Sequence, residues 1–221
     1  MRGQLKLLFI VSILLTACTK KHNPTPVTNI KGSVNINGTI YSTIAIGHQI
    51  WTTQNYDGPG GVGNAQEASI GKFYLLSEIQ SIKLPSGWRI PTQADFISLL
   101  QLQGSTTINS YGEVIADSTV AKHLMATSKW SIIGDNKSGF NVIPSGEYSI
   151  SQSFNSGNDE AKFWSSTSDT IAGTPQQWVL QVTGYDYTYT ANQEVINGQN
   201  AYVNMMPQVG YGYNLRFVKD N

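Results

Sequence analysis

The sequence contains little of the chemistry on which many protein classes depend. Its 221 residues include one cysteine and three histidines, and charged residues make up 13% of the chain. A single cysteine excludes an intrachain disulfide, a cysteine-rich zinc site and an iron–sulfur cluster. Fourteen basic residues balance fourteen acidic ones, so the basic footprint of a nucleic-acid-binding protein is missing. No apolar run reaches the roughly 20 residues that a membrane-spanning helix needs.

The first eighteen residues resemble an export signal followed by a lipidation site. Arg2 and Lys6 precede an apolar run, residues 7–15, that is too short to span a bilayer but suits a signal peptide. Residues 15–18 read Leu-Thr-Ala-Cys and resemble the bacterial lipobox, in which cleavage occurs before an acylated cysteine. The sequence therefore predicts a lipoprotein signal peptide over residues 1–17 and acylation of Cys18. An ordinary secretory signal with an incidental cysteine is the alternative.

Lipidation would give the mature chain an extracytoplasmic location and the membrane as a partner. In the sorting rule that this region resembles, an aspartate directly after the cysteine keeps a lipoprotein in the inner membrane. Here Thr19 occupies that position. We therefore expect an outer membrane lipoprotein, with the choice between the surface and the periplasmic face left open. Residues 18–33 include Pro24 and Pro26 and predict a flexible tether. The remaining residues, 34–221, form the predicted domain.

The apolar pattern of this domain changes along the chain. Helical spacing predicts three helices, at residues 71–82, 92–102 and 118–126. A β-branched and aromatic stretch predicts a hairpin over residues 39–53, with its turn at Gly47 and His48. From residue 139 onwards the pattern predicts strands, at residues 140–143, 146–150, 162–166, 177–182, 185–190, 201–205 and 213–218. Helices in the first half and antiparallel strands in the second half predict an α+β fold.

Five segments in this order resemble one family, the Fibrobacter succinogenes major paralogous domain (FISUMP). The segments are IGHQIW (46–51), PSGWRIPT with DF (85–96), SGFN with PSG (138–146), FWSST (163–167) and GYNLRFVKD (212–220). The resemblance spans about residues 34–220. It implies a C-type-lectin-like fold in which the two ends of the domain pair in one sheet. That fold occurs in sugar binders, protein binders and some enzymes, so it does not determine a function.

Several motif residues are interpreted as structural rather than ligand-binding. They are Trp51, Gly87, Trp88, Arg89, Pro91, Trp164 and Arg216. For the two arginines we expect hydrogen bonds to carboxylates or carbonyls, with a ligand role as the alternative. Family members often carry cysteines at the positions of Leu84 and Phe217. The resemblance therefore implies that an apolar contact replaces a disulfide here, unless the family cysteines are unpaired.

Motifs for catalysis and cofactors are absent or weak. No GxSxG or HExxH motif and no EF-hand pattern occurs, and the GxGxxG letters at residues 58–63 lack the strand–turn–helix context of a dinucleotide site. Oxygen atoms of Asn158, Asp159 and Glu160 could coordinate calcium, although a solvated loop accounts for these three polar residues as well. We therefore predict no catalytic residue, no metal ligand and no cofactor, with calcium as a weakly supported addition.

An aromatic strand provides the predicted ligand site. Residues 185–190 read YDYTYT, and strict alternation would place the three tyrosines on one face. Tyrosines and nearby amides make adaptable contacts with proteins and also suit sugar rings. The predicted ligand-binding residues are Tyr185, Tyr187, Tyr189, Asn192, Asn197, Asn200 and Tyr202. A half-buried strand with a solvated polar face is the alternative, and Trp130 is a second candidate sugar platform.

These observations favour a membrane-anchored lipoprotein with a non-catalytic binding domain for a glycan or a surface protein. A structural or adhesive component of the cell envelope, without a soluble ligand, is the alternative. An enzyme on the same fold is a more distant alternative.

Overall fold

The computed structural model describes residues 30–65, 67–151, 153–155, 159–191 and 194–221. For the strand residues 153–155, 186–191 and 194–197 it describes the backbone alone. The predicted signal peptide, Cys18 and most of the predicted tether lie outside these ranges. Within them, none of the helices combines the length and the apolar character needed to traverse a bilayer.

The described residues form fourteen strands and three short α-helices, and a single 3-10 turn at Ala68–Ile70 precedes β5. In chain order they are β1 (Lys31–Ile36), β2 (Thr39–Ile46), β3 (Gln49–Thr52), β4 (Val62–Gly63), β5 (Lys72–Leu75), α1 (Leu76–Ile79), α2 (Gln93–Gln101), β6 (Thr106–Ile108), β7 (Val114–Ala116), α3 (Ser118–Leu124), β8 (Glu147–Ser149), β9 (Ser153–Asn155), β10 (Glu160–Ile171), β11 (Thr174–Ala191), β12 (Glu194–Pro207), β13 (Tyr211–Tyr213) and β14 (Val218–Asp220). By these bounds the described residues are mostly antiparallel strand, with few helical residues.

The prediction of an α+β fold is therefore wrong, because the molecule is β-rich and its first half is not helical in character. Seven strands precede residue 117, and each helix is nine residues long or shorter. The predicted helix at residues 71–82 shows the cause. Its first part is strand β5, which pairs with β13 about 140 residues later. Apolar spacing within one segment cannot reveal such a distant partner, and only residues 76–79 are helical.

Three sheets organise the strands. The terminal sheet has the order β1-β2-β3-β14, the long-strand sheet β10-β11-β12-β7-β6, and the short-strand sheet β4-β5-β13-β8-β9. In the terminal sheet, Val218 of β14 lies opposite Trp51 of β3. The expected pairing of the two chain ends in one sheet is thus confirmed, and so is the hairpin of β2 and β3. Strand β1 begins at Lys31, inside the segment predicted as tether.

The two later helices are confirmed, with slightly shorter bounds than predicted. Thr92 caps α2 by accepting a hydrogen bond from the Asp95 backbone N–H, and the Asp95 carboxylate accepts one from the Thr92 N–H in return. Asp117 caps α3 by accepting from the Val120 N–H. Local capping signals of this kind are visible in the sequence, which explains why these helices were predictable.

Two clusters of buried side chains form the core. The first packs the terminal sheet, α2 and α3 against one face of the long-strand sheet, through residues such as Trp51, Phe96, Leu124 and Leu180. The second is rich in aromatic rings and includes Tyr56, Tyr74, Trp164, Tyr213 and Phe217. Trp164 packs against Tyr213 with 4.3 Å between ring centroids. The second cluster covers part of the opposite face of the long-strand sheet and leaves the rest of that face polar.

Candidate functional site

The candidate site is the polar part of the long-strand sheet on the side facing away from the first core cluster. Because side chains alternate along a strand, the buried Leu180, Val182, Ala201 and Val203 direct their sequence neighbours to the other side. We call this surface the outer face; its members are Glu160, Lys162, Gln181, Thr183, Tyr185, Asn200, Tyr202 and Asn204. The strand register supports the grouping, since Thr183 lies opposite both Glu160 and Asn200 and Gln181 lies opposite both Lys162 and Tyr202.

Hydrogen bonds connect the members of the outer face across three strands. Gln181 Nε2 donates to Glu160 Oε2 over 2.9 Å, and the Tyr185 hydroxyl donates to the same oxygen over 3.3 Å. Asn204 Nδ2 donates to Gln181 Oε1 over 2.7 Å. The network fixes the orientation of the amides before any ligand arrives, which lowers the entropy that binding would cost.

A buried lysine connects the outer face to the short-strand sheet. Lys162 Nζ lies 2.6 Å from Glu160 Oε1 and 2.7 Å from Glu147 Oε2, and Glu147 belongs to β8. Burial lowers the pKa of Lys162, but the charges of Glu160 and Glu147 outweigh this effect and raise the pKa above its ordinary value. Both carboxylates are therefore held as partners of one ammonium group.

Two buried polar atoms on the outer face have no hydrogen-bond partner among the described residues. They are Thr183 Oγ1 and Asn204 Oδ1. Thr183 is 3% exposed. A buried polar atom without a partner costs about 1 to 3 kcal/mol, so proteins rarely retain one unless a ligand or a water fills the position.

The structure brings together three of the seven predicted ligand-binding residues. Tyr185, Asn200 and Tyr202 share the outer face. Tyr187, Tyr189 and Asn197 lie in β11 and β12, where only the backbone is described, and Asn192 falls outside the described residues. Tyr185 pairs with Gly198 and Tyr189 with Ile196, so residues 186–188 face a single residue of β12. This irregularity interrupts the alternation on which the shared tyrosine face depended.

Sequence reasoning missed most of the polar partners on the outer face. Gln181 and Thr183 alternate in the sequence with the buried Leu180 and Val182. This alternation could have indicated that the two polar residues share a face. For Lys162 no local signal existed, because its partner Glu147 belongs to another sheet.

The motif tryptophans and the glycine occupy structural positions. Trp51 and Trp164 are fully buried, and Trp164 Nε1 donates to the Tyr74 carbonyl over 2.7 Å. Gly87 has a φ of 81°, a backbone conformation that favours glycine. Trp88 is half-buried, with Lys219 Nζ 5.8 Å from its ring centroid.

Trp130 is 4% exposed and its Nε1 donates to the Val142 carbonyl, so its alternative role as an exposed sugar platform is wrong.

Arg89 joins the start of α2 to the C-terminal strand. Its guanidinium donates to both carboxylate oxygens of Asp95 and, over 3.1 Å, to Asp220 Oδ1. Next to this contact, the Pro91 carbonyl accepts a hydrogen bond from the Ser166 N–H over 2.7 Å. Burial raises the pKa of Asp95, but the hydrogen bonds from Arg89 and Thr92 outweigh this effect and lower the pKa to about 2.

Arg216 occupies the interior. Its Nε donates to Asn55 Oδ1 over 2.7 Å, and its terminal nitrogens donate to the carbonyls of Thr52, Phe140 and Asn141 over 3.0 to 3.1 Å. Four hydrogen bonds therefore connect it to two separate segments of the chain, residues 52–55 and 140–141.

Leu84 and Phe217, the positions at which the resemblance implies a replaced disulfide, belong to the same apolar cluster. Phe217 is 1% exposed within the second cluster, and Leu84 packs against that cluster from its edge.

The predicted calcium residues have other partners. Asp159 accepts hydrogen bonds from the Ser131 N–H and hydroxyl, and Glu160 is paired with Lys162, while Asn158 falls in an undescribed segment. Within the ranges that the structure describes, no group of three histidine, cysteine or acidic side chains is arranged to hold a metal ion.

Comparison with known proteins identifies the family but not an activity. A model of the Fibrobacter succinogenes major domain matches residues 44–219. No curated protein matches the chain and neither does any solved structure, so the C-type-lectin-like fold that the resemblance implied gains no support. The family match covers well over half of the 221 residues. The chain is therefore a member of the Fibrobacter succinogenes major domain family.

Proposed function

We propose that this protein is an outer membrane lipoprotein, anchored through an acylated Cys18, whose domain binds a glycan through the outer face. The amino-terminal sequence supports the anchor, and the family gives no activity that contradicts it. Binding without catalysis is the function that the chemistry of the outer face supports best.

The observation that carries this proposal is the pair of unpartnered buried atoms, Thr183 Oγ1 and Asn204 Oδ1, on the face that also presents Tyr202. Sugar hydroxyls donate and accept hydrogen bonds in the same way as water, so a glycan admitted by a shift of the side chains that cover these two atoms would supply the missing donors. Asn204 lies four residues along β12 from Asn200, the residue opposite Thr183. At about 3.4 Å per residue, the two atoms are separated by roughly 13 Å along the sheet, enough for an extended ligand rather than a single water.

The charges of the outer face support binding rather than hydrolysis. Glycoside hydrolysis requires two carboxyl groups that act separately as acid and as base or nucleophile. Glu147 and Glu160 are the two half-buried carboxylates of this region, and Lys162 binds both. Because both are engaged in ion pairs with the same ammonium group, they do not form two carboxyl groups that can act separately.

A glycan array tests the proposal. The chain from Thr19 to Asn221, purified without its lipid, is screened with calcium and with a chelator. We expect a saturable hit that Tyr202→Ala and Asn204→Ala each weaken at least tenfold. Tyr111→Ala is the matched control, since Tyr111 is 72% exposed in the turn between β6 and β7 and is not a member of the outer face.

Each outcome decides between the functions. A hit that all three variants bind equally well would place the ligand elsewhere and contradict the role of the outer face. A blank array in both buffers, with a folded protein, would contradict glycan binding and favour a surface-protein ligand or a structural role in the envelope.

A further inference from the structure

A cleft whose lining is separate from the outer face lies between the terminal sheet and the turn that precedes β5. Its volume is about 350 Å³, within the range of small-molecule sites. Arg216, Asn55 and Asn141 line the cleft together with Tyr41, Ala68 and Lys129. None of these residues belongs to the outer face, so this cleft is independent of the proposed glycan site.

The unusual feature of this cleft is that Arg216 is buried without an acidic partner. Arg216 is 1% exposed, and no carboxylate among the described residues lies within ion-pair distance of it. Buried arginines are ordinarily paired with an acid, because an isolated buried charge is costly. Burial lowers the pKa of Arg216 to about 9, so the guanidinium is still charged at neutral pH.

Neutral groups satisfy most of the guanidinium, but not all of it. The hydrogen bonds to Asn55, Thr52, Phe140 and Asn141 use four of the five N–H groups that an arginine carries. The rings of Phe140 and Phe163 lie 5.1 and 5.5 Å from its central carbon and stabilise part of the charge. One N–H on Nη2 has no acceptor among the described residues, and Arg216 borders the cleft.

The cleft walls supply further polar groups for a ligand. The Gln54 side chain uses its oxygen to accept from the Ser42 N–H, which leaves its amide NH₂ facing the cleft region as a donor. The one acidic residue of the lining, Asp57, accepts a hydrogen bond from the Tyr41 hydroxyl. At the rim, Lys129 Nζ lies 2.5 Å from Glu67 Oε1 and 2.7 Å from Ser69 Oγ, connecting two loops across the opening.

We propose that this cleft binds the oxyanion of a small ligand, a carboxylate or a phosphate, with Arg216 as the buried counter-charge. The free N–H of Nη2 donates to one oxygen of the anion. Arginine suits this role because its planar guanidinium matches the geometry of carboxylate and phosphate groups. The anion would supply the negative charge that the chain itself does not place next to Arg216.

Titration calorimetry with sodium glucuronate tests the proposal, with glucose as the uncharged comparison at matched ionic strength. We expect one site per chain for glucuronate and no binding of glucose. Sodium phosphate in a separate titration distinguishes a phosphate ligand from a carboxylate one. Ala68→Phe, which fills the cleft from an exposed position without touching the hydrogen bonds of Arg216, is expected to weaken binding at least tenfold.

Two further variants keep the result interpretable. Ala65→Phe places the same ring at an exposed residue of the same loop that does not line the cleft, and we expect unchanged affinity. Ile108→Ala changes an exposed residue of β6 that belongs to neither proposed site, and it is also expected to leave the affinity for glucuronate unchanged. Failure of the folded protein to bind glucuronate or phosphate would overturn the proposal, and so would equal binding by the Ala68→Phe variant.

Discussion

At the scale of single residues, Asp95 has the most contacts of any carboxylate outside the candidate sites. Its two oxygens accept hydrogen bonds from Arg89, from the Thr92 N–H and hydroxyl, and from Gln49 Nε2 over 2.5 Å. Through these bonds one carboxylate connects the start of α2 to strand β3 and to the segment before α2. All of these donors favour the charged form of the carboxylate, which explains its low pKa despite burial.

The charge of Asp95 makes folding stability depend on pH in acid. Its pKa is about 2 in the folded protein and near 3.8 in the unfolded chain. A lowered folded pKa means that this stability is present above about pH 4 and is lost as the pH falls towards 2. We expect Asp95→Asn to lower the free energy of unfolding by about 1 to 2 kcal/mol at pH 7, since solvent around the partly exposed Arg89 screens part of the interaction.

Urea denaturation at several pH values measures this effect. The difference between the natural protein and Asp95→Asn is expected to shrink between pH 4 and pH 2. Asp169→Asn changes an exposed carboxylate and serves as the control, for which we expect no measurable difference. A difference between the natural protein and Asp95→Asn that persists at pH 2 would show that the carboxylate acts through packing rather than through its charge.

At the scale of elements, α3 shows how a short helix is stabilised at both ends. Asp117 accepts a hydrogen bond from the Val120 N–H over 3.0 Å, which satisfies one of the free donors of the first turn. Lys122 and His123 lie in the last turn, where positive charge is favourable. The buried face of α3, with Val120, Ala121 and Leu124, then packs into the first core cluster.

Removing the cap of α3 is expected to destabilise the protein without changing its fold. We expect Asp117→Ala to lower the free energy of unfolding by about 1 kcal/mol, because the Val120 N–H loses its acceptor. Asp117→Asn retains a side-chain oxygen and is expected to lose only a few tenths of a kcal/mol. Thermal and urea denaturation of the three proteins measure the difference, and equal losses for both variants would contradict the capping role.

The elements also show which parts of the fold the sequence could reveal. The starts of α2 and α3 were predictable to within one residue because their capping residues lie in the local sequence, whereas their ends were predicted one and two residues too late. Strand β5 was not, since the residues that make it a strand are in β13 and β4 rather than in its own neighbourhood. Strands whose partners lie in distant segments, such as β5 with β13, cannot be recognised from local spacing, and the predicted fold class was wrong partly for this reason.

For the candidate site, too, the local sequence could reveal some features, whereas those that depend on distant contacts could not be predicted. Composition was enough to select Tyr185, Asn200 and Tyr202 as candidates, but only the pairing of β11 with β12 shows that they share a face. The pairing of Lys162 with Glu147 depends on the approach of two sheets, and the missing counter-charge of Arg216 becomes visible only when every neighbour is known. These two features determine the electrostatics of the proposed sites, and neither has a local sequence signal.

At the scale of the whole molecule, the two chain ends lie in one sheet, and this arrangement bears on the anchor. Strand β1, the first described strand, is an edge strand of the terminal sheet, while β14 pairs with β3 at the opposite edge. The predicted tether therefore enters the domain at the terminal sheet. The outer face belongs to the long-strand sheet, on the side away from the core that packs against the terminal sheet. Attachment through the amino terminus therefore does not use the proposed glycan surface.

The anchor itself can be tested in the producing cell. We expect Cys18→Ala to release the protein from the membrane fraction, because lipid anchoring requires the cysteine thiol and each acyl chain contributes about 0.8 kcal/mol per buried CH₂. Thr19→Ala, one residue further on, leaves the thiol in place and is expected to remain membrane-bound. Fractionation followed by a high-salt wash separates lipid anchoring from electrostatic attachment. An ordinary secretory signal predicts a soluble protein with or without Cys18, and unchanged membrane association of Cys18→Ala would contradict lipidation as the means of attachment.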